Sequence, residues 1–387
     1  MASYFEEVEK DGMENSSNKF IAFFIPSLAG GGAERVAVNL TGELSKRGVK
    51  VDLVLGEAEG IFLSEMPKEV HIVDLKAKRV LYALPKLICY LKKNRPDFMI
   101  SSLSHSNIVA VLAVKLSGTK TKILVKEDNT LSLASSNSLI KDWFVRFLVR
   151  FFYPMADAVV AVSNGVKDDL VKHAHIRPEK IKIIYSPIIT NEMFEKAKEP
   201  VLHPWFTSKS IPIIIAVGRL TNQKDFRTLI KAFSLVRKEI EANLVILGEG
   251  EERENLEEFS EELGVAEYVY MPGLVDNPYK YMSKADVFVL SSIYEGLPTV
   301  LVEALALGLP IVSTDCKSGP REILDNGKYG KLVPMGDAFS MKEAIISCLN
   351  GEVYNGERLD EHLNKFKSDY IVDCYINLLD VIKEKSE

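Results

Sequence analysis

The chain is predicted to be an α/β protein made of two Rossmann-like halves in series. Three observations lead there. Short β-rich apolar runs alternate with helical patterns along most of the sequence. The alternation breaks once, near the middle, and then restarts. At 387 residues, with 47% hydrophobic and 26% charged content, the chain is long enough to bury two ordinary cores.

Taken in order, the first twenty residues, MASYFEEVEKDGMENSSNKF, are acidic and polar, the reverse of a secretory signal. Residues 1–18 are read as a flexible leader and the fold as starting near Lys19. KFIAFFIP then reads as a strand and Gly30, Gly31 and Gly32 as a turn. A helix follows with Ala33, Val36, Ala37, Leu40 and Leu44 on one face. VDLVL (51–55), VHIVDL (70–75), DFMIS (97–101), TKILVK (121–126), DAVVAVS (157–163) and KIKIIYS (180–186) continue the strand series, with helical stretches between most of them. Residues 187–210, rich in Pro, Asn, Trp and charge, are expected to be a linker between a first domain at 19–186 and a second at 211–367. The second domain runs through IPIIIAVG, a helix from Phe226, NLVILG, the helix EERENLEEFSEEL, YVYMPG, DVFVL, a further helix and PIVST. A last amphipathic helix, within 368–387, ends the chain. In open α/β sheets ligands sit at the carboxyl ends of the strands, so the strand-to-helix loops are where function belongs.

Composition narrows the function. The net charge of −6 disfavours a nucleic-acid binder. It is spread unevenly: residues 1–200 carry 28 Lys+Arg against 24 Asp+Glu, net +4, and residues 201–387 carry 20 against 30, net −10. No apolar run approaches the roughly 18 to 20 residues that cross a bilayer. Cys89, Cys316, Cys348 and Cys374 lie far apart, which fits neither a disulfide framework nor a zinc site and points to a reducing, cytoplasmic setting.

The densest chemistry is in YEGLPTVLVEA, where Glu295 and Glu303 bracket a Gly296-Leu297-Pro298 turn. Eight helical steps span ~12 Å. That is too far for a retaining carboxylate pair at about 5–5.5 Å, and beyond the roughly 6.5–9.5 Å of an inverting one. If DVFVLSS is a strand and Pro298 opens the next helix, the backbone N–H groups of Thr299, Val300 and Leu301 lie between the two acids at the positive end of a helix dipole. One ligand could then lay a phosphate on the helix start and offer hydroxyls to both carboxylates. Two solvated glutamates around an ordinary helix are the competing reading, and for an isolated pair the commoner one. Arg219 and Lys224, in the loop after IPIIIAVG, add two cations suited to the same phosphate. The Gly30–Gly32 run would let backbone approach a ligand, but its spacing is not GxGxxG, and no GxxxxGK[ST] loop occurs.

The run EGLPTVLVEALALGLPIVSTDCKSGPREIL resembles the E-x7-E region of family 4 glycosyltransferases, which have the GT-B fold. GGGAERV, DAVVAVSNGVKDDL, VGRLTNQKDF and LGEGEERENLEEF match its other segments in order, so the resemblance spans about residues 19–385. SGPREI and GGAER are most similar to members that build bacterial surface or lipid-linked oligosaccharides. The resemblance implies two Rossmann-like domains facing across a cleft, the C-terminal helix crossing back to the first, acceptor-binding domain. It implies transfer of a hexose or N-acetylhexosamine, with retained configuration, from a nucleotide sugar (usually a UDP-sugar) to a saccharide acceptor such as a polyprenyl-diphosphate-linked glycan. Glu303 would bind ribose hydroxyls and Glu295 the transferred sugar. Arg219, Lys224 and the backbone at Thr299–Leu301 would grip the diphosphate, and Gly296 would be a further donor-binding position. Leu274 would meet the base through backbone, Gly31 and Gly32 would close over the phosphate, and His105 would contact the transferred sugar. Asp128, in KEDN, departs from the ERN of many members and puts the roles of Glu127 and Asn129 in question. His173 and His175 are read as ordinary helix-end residues.

No D-x-D occurs, so no cofactor or metal is expected and the cations above would supply the positive charge. Two segments suit an anionic membrane surface: residues 76–95, with seven basic residues and no acid, and residues 139–153. In the latter Leu139, Trp143, Phe144, Phe147, Leu148, Phe151 and Phe152 share a stripe, with Lys141, Arg146 and Arg150 elsewhere. For that helix the default expectation is packing on the sheet. A cytoplasmic protein, peripheral on the inner face of the membrane, follows. A UDP-sugar 2-epimerase of the same fold and a non-catalytic nucleotide-sugar binder are the alternatives.

Overall fold

The computed structural model describes residues 19–29, 31–132, 139–208, 210–352 and 356–385, with only the backbone for 139–142. The leader 1–18, Gly30, the side chains of Leu139 and Lys141, and residues 386–387 of the expected last helix lie outside the described residues. The chain divides into two compact units, Met1–Pro187 with Phe366–Glu387, and Ile188–Lys365.

The first unit holds a seven-stranded parallel sheet. Its strands are β1 (Phe20–Ile25), β2 (Lys50–Leu55), β3 (His71–Asp74), β4 (Phe98–Ser102), β5 (Lys122–Glu127), β6 (Ala158–Ala161) and β7 (Ile181–Ile183), in the order β3-β2-β1-β4-β5-β6-β7. Near-continuous apolar runs form the central strands because helices cover both faces: Ile21 to Ile25 are all fully buried. The helix Gly32–Lys46 buries Val36, Ala37, Leu40 and Leu44 against this sheet. The last helix, Ser368–Glu384, belongs to the same unit. It buries Ile371, Val372, Tyr375, Leu379 and Ile382, while Asp380 pairs with Lys19 at 3.0 Å and Asp373 with Arg47 at 2.8 Å.

The second unit holds β8 (Ile213–Val217), β9 (Asn243–Leu247), β10 (Val269–Gly273), β11 (Val287–Leu290), β12 (Ile311–Thr314) and β13 (Lys331–Val333), all parallel, in the order β10-β9-β8-β11-β12-β13. Its core is built on Ile214, Phe233, Leu244, Val289, Met341 and Ile345. Both sheets reverse strand order once, between β1 and β4 in the first and between β8 and β11 in the second. Loops diverge at such switch points and leave a crevice at the carboxyl ends, where doubly wound folds take ligands.

One device recurs at the opposite ends. Asp97, Asp157 and Asp286, each just ahead of a strand, accept an N–H near the start of the neighbouring strand at 2.8 Å: Phe20, the first residue of β1, Ile123, the second of β5, and Ile213, the first of β8. A strand-end amide is thereby satisfied by a side chain.

The expected linker 187–210 is corrected. It carries two short helices, Asn191–Ala197 and Pro204–Ser208, and from Ile188 onward it is part of the second unit. Met193, Ala197, Val201 and Phe206 are buried. Asn277 Nδ2 donates to Lys196 O at 2.8 Å and Ser283 Oγ to Ala197 O at 2.8 Å. Buried apolar side chains and satisfied carbonyls make the segment a packed layer of the second unit.

Candidate functional site

At the second unit's switch point, the loop after β8 carries Arg219 and Lys224 and the loop after β11 carries Glu295. Because β8 and β11 are adjacent, with Val287 opposite Ile214, the two loops meet. They are stitched together by Ile293 N–H to Gln223 O at 2.8 Å, Gln223 Nε2 to Tyr294 O at 2.9 Å and Ser291 Oγ to Lys224 O at 2.6 Å. Lys224 Nζ consequently reaches Glu295 Oε1 at 2.6 Å. The pair is largely buried, Lys224 at 15% and Glu295 at 7% side-chain exposure. Ser292 Oγ donates to the same carboxylate oxygen at 2.6 Å, and Thr314 Oγ1 holds the Ser292 carbonyl at 2.6 Å. An ammonium has three donors, so Lys224 keeps capacity for a second anion beside Glu295.

Arg219 differs. Its side chain is exposed and makes no hydrogen bond or ion pair among the described residues. Its backbone, by contrast, is fixed. Leu220 N–H donates to Glu249 O at 2.8 Å and Gly218 N–H to Leu247 O at 3.0 Å. Gly248, at φ 146°, lies so close that an added Cβ would come 1.9 Å from Gly218 O. Only glycine serves there. The glycines of LGEGEERENLEEF thus seat the Arg219 loop, a role that sequence reading missed because it depends on β8 and β9 being neighbours.

The helix Thr299–Ala306 starts directly after Pro298 and has no side-chain cap. The N–H groups of Thr299 and Val300 have no partner among the described residues, as the first turn of a helix requires. Leu301 is a correction: its N–H donates to Pro298 O at 3.1 Å, so the exposed donors shorten to two. Ahead of the helix, buried Gly296 accepts from Ser318 Oγ at 2.9 Å. Gly319, at φ 89°, lets the following loop lie against the turn, since a Cβ there would meet Pro298 Cδ at 2.4 Å. Glu303 is buried one turn inside the helix and accepts from Tyr279 OH at 3.3 Å. Burial, and then the Glu295 charge, push the nearby Cys316 thiol up to about 12, so it is no nucleophile near neutral pH. Leu274 is exposed just past β10.

The structure therefore brings Lys224, Glu295 and the loops bearing Arg219 and Gly296 together at one switch point, with Thr299, Val300 and Glu303 on the helix that follows. Two backbone donors, one braced cation and one unpaired cation around a fixed carboxylate suit a phosphate joined to a polyhydroxyl group. Among the described residues no group of His, Cys, Asp and Glu is placed to hold a metal ion.

The first unit contributes separately. Gly31 caps the helix Gly32–Lys46 with extended backbone (φ −93°), and a Cβ there would crowd only the flexible Glu34 carboxylate. His105 is exposed in the first turn of the helix Ser104–Ser117, after β4. Both thus flank that sheet's switch point between β1 and β4.

Comparison with known proteins agrees with this arrangement. The glycosyltransferase family 4 model matches residues 30–192, and the model of glycosyl transferases group 1 matches residues 204–368. An N-acetylgalactosamine-N,N'-diacetylbacillosaminyl-diphospho-undecaprenol 4-alpha-N-acetylgalactosaminyltransferase of Campylobacter jejuni is 31% identical over 86% of this chain and 90% of its own length. The chain belongs to the family 4 glycosyltransferases. It is therefore a transferase enzyme, and its two parallel-sheet halves are those of the GT-B fold. A second C. jejuni transferase, a GalNAc-alpha-(1->4)-GalNAc-alpha-(1->3)-diNAcBac-PP-undecaprenol alpha-1,4-N-acetyl-D-galactosaminyltransferase, is 27% identical over 94% of this chain and 99% of its own length. Among solved structures, Anabaena HepE in complex with UDP-glucose superposes with a TM-score of 0.78 at 18% identity, over 93% of this chain and 99% of that one. At that identity the likeness speaks for the fold.

Two surfaces of the first unit bear on partners. In the helix Leu139–Phe152 the fully buried residue among those whose side chains are described is Val149, whereas Trp143 and Phe151 are 63% and 60% exposed. Phe144 and Phe147 are exposed too. The expectation that this aromatic stripe packs on the sheet is thus overturned. All seven basic residues of 76–95 are exposed, with Leu81 and Tyr82 beside them. Among the described residues no helix is long and apolar enough to cross a membrane.

Proposed function

We propose that this glycosyltransferase moves a hexose or N-acetylhexosamine from a UDP-sugar, with retention, onto the sugar of a lipid-linked or surface glycan precursor. The observation that carries the reading is the Lys224–Glu295 pair beside the uncapped helix start at Thr299. In the proposed complex the diphosphate takes the Thr299 and Val300 N–H groups together with Lys224 and Arg219. Glu295 and the Gly296 turn face the transferred sugar, Glu303 the ribose, and the backbone at Leu274 the base. For Gly31, Gly32 and His105 of the first unit, donor contact is what the family resemblance implies. Fixed donors around a departing diphosphate act where negative charge develops, at no cost in reorganisation. The leaving oxygen can take the acceptor's proton, so no protein base is needed and no metal is required. The names of the two C. jejuni relatives, which act on diphospho-undecaprenol glycans, support the acceptor class.

The test is a mass-spectrometric screen of UDP-hexoses and UDP-N-acetylhexosamines against a farnesyl-diphosphate-linked N-acetylhexosaminyl disaccharide, with and without EDTA. A product one sugar heavier, formed equally in EDTA, is the expected result. UDP-sugar interconversion without acceptor would replace transfer with epimerisation, and turnover restored only by Mg²⁺ or Mn²⁺ would overturn metal independence.

The exposed aromatics Trp143, Phe144, Phe147 and Phe151 and the basic face of 76–95 favour peripheral attachment to an anionic, cytoplasm-facing membrane. Aromatic side chains suit the bilayer interface and each lysine or arginine near an anionic surface adds about 1 kcal/mol.

A further inference from the structure

At the carboxyl ends of β4 and β5 in the first unit, Ser102 stands opposite Lys126. The Lys126 side chain is fully buried, where a lone ammonium would be costly. Its ammonium donates to Asp128 Oδ1, and Ser102 Oγ donates to Asp128 Oδ2. Next to them Glu127 accepts from Tyr153 OH and from Ser104 Oγ at 2.9 and 3.1 Å. Asn107 Nδ2 donates to Lys126 O at 2.8 Å and to Tyr153 OH at 2.9 Å. Burial raises the Glu127 carboxyl and lowers the Lys126 ammonium.

Asp128 is the charged member of this cluster that reaches the surface, at 12% side-chain exposure. Two buried oxygens of the same neighbourhood, Asn107 Oδ1 and Thr130 Oγ1, have no hydrogen-bond partner among the described residues. The neighbourhood therefore has acceptors to spare. A carboxylate offers about four lone-pair sites, of which Lys126 and Ser102 occupy two. A buried ion pair is seldom the most stable filling for a core. What this one provides is a carboxylate locked in one orientation, beside the His105 turn at the end of the sheet where ligands are taken. A locked anion with free lone pairs selects hydroxyl and amide N–H donors and repels phosphate.

We propose that Asp128, fixed by Lys126 and Ser102, binds the acceptor, accepting a hydrogen bond from a hydroxyl or N–H of its terminal sugar, and so helps to set acceptor specificity. This inference rests on the glycosyltransferase reading above.

The experiment is steady-state kinetics of the full chain with the farnesyl-diphosphate-linked disaccharide varied at saturating UDP-N-acetylhexosamine. Lys126→Met/Asp128→Asn removes the carboxylate without leaving an orphan ammonium, and Ser102→Ala loosens it while keeping the charge. The double variant is expected to raise acceptor KM about 10- to 100-fold, the loss of one hydrogen bond to a charged group. The serine variant is expected to raise it about 3-fold. In both, UDP affinity by calorimetry stays within about 2-fold and kcat falls much less than KM rises. Acceptor KM unchanged in a double variant that melts like wild type overturns the assignment. So does a loss of UDP affinity as large as the change in acceptor KM, which marks a general structural role. A double variant that does not fold passes the decision to Ser102→Ala, whose unchanged acceptor KM likewise overturns it. Wild-type protein inert toward this donor and acceptor sinks the functional reading and this inference with it.

Discussion

Replacing Lys224 by methionine leaves the Glu295 carboxylate, at 7% exposure, with Ser292 Oγ as its remaining side-chain donor. At 2.6 Å the gross attraction between the two charges is roughly 6 kcal/mol with an effective dielectric of 20. Desolvation of both ions cancels much of it, and removing one partner of a buried pair costs about 3–5 kcal/mol. With Ser292 still in place the low end applies, about 3 kcal/mol. Glu295→Gln is milder, about 1–2 kcal/mol, because Lys224 at 15% exposure can turn its ammonium toward water. The double variant has no orphan charge and is expected to be more stable than Lys224→Met alone, by about 1–2 kcal/mol. For a unit of this size each kcal/mol moves the midpoint by about 2–4 °C. Lys224→Met should then melt about 6–12 °C below wild type, with the double variant several degrees above it. Circular dichroism melts, with UDP present and absent, read this directly. A double variant as unstable as the sum of the singles would refute the ion-pair account. Turnover adds a second reading: Glu295→Gln should keep UDP affinity within about 3-fold yet lose about 100-fold in kcat, since in the proposed complex the contact it removes is to the reacting sugar.

Arg219→Ala, at an exposed and unpaired side chain, should leave the melting temperature unchanged and weaken UDP binding by about 10- to 100-fold, measured by calorimetry. Gly248→Ala places a Cβ 1.9 Å from Gly218 O and should destabilise the second unit by at least about 2 kcal/mol while displacing the Arg219 loop. A chemical-denaturation curve matching wild type would contradict that packing. Glu127 in the folded first unit is raised to about 7 from an ordinary 4.5, mainly by burial. The folded state then holds a proton that the unfolded chain releases, so this stabilisation is full below 4.5 and is lost as pH climbs through about 7. Urea titrations should show stability falling across that window, and Glu127→Gln should flatten the slope. Liposomes rich in anionic lipid should float the wild-type protein at low salt; Trp143→Ser/Phe147→Ser/Phe151→Ser should reduce flotation about 10-fold without changing the melt, and no wild-type flotation would remove the membrane reading.

Most strands were legible as short apolar runs, because a parallel sheet covered on both faces needs no polar alternation. The boundary near Pro187 was less so. Helices of seven and five residues, Asn191–Ala197 and Pro204–Ser208, are too short to display a period beside their Pro and charge content. The aromatic stripe of 139–152 shows the limit of periodicity: it reveals that a helix has an apolar face but not what covers it. At the candidate site, Glu295, Glu303, Arg219 and Lys224 stood out by residue type and by resemblance. Ser292, Thr314, Tyr279 and Gly248 did not, because their roles depend on which elements are neighbours: Gly248 on β9 beside β8, Thr314 on β12 beside β11, and Tyr279 on the helix that carries Glu303. Leu301 was misjudged by a single residue, which only the Pro298 carbonyl geometry could reveal.

The aspartates ahead of β4, β6 and β11 have a consequence for how this scaffold can vary. Asp97, Asp157 and Asp286 each grip the adjacent strand rather than the one they begin, so they act as registry pins between neighbours. Lengthening or shortening a segment at that rim by one residue slides the pin off its amide and leaves that N–H without its carboxylate partner. The opposite rim bears no such clamp from these residues, so its loops can lengthen and change chemistry while the sheets stay in alignment. New sugar preferences are therefore best sought by grafting loops at the carboxyl rim, with the amino rim left untouched.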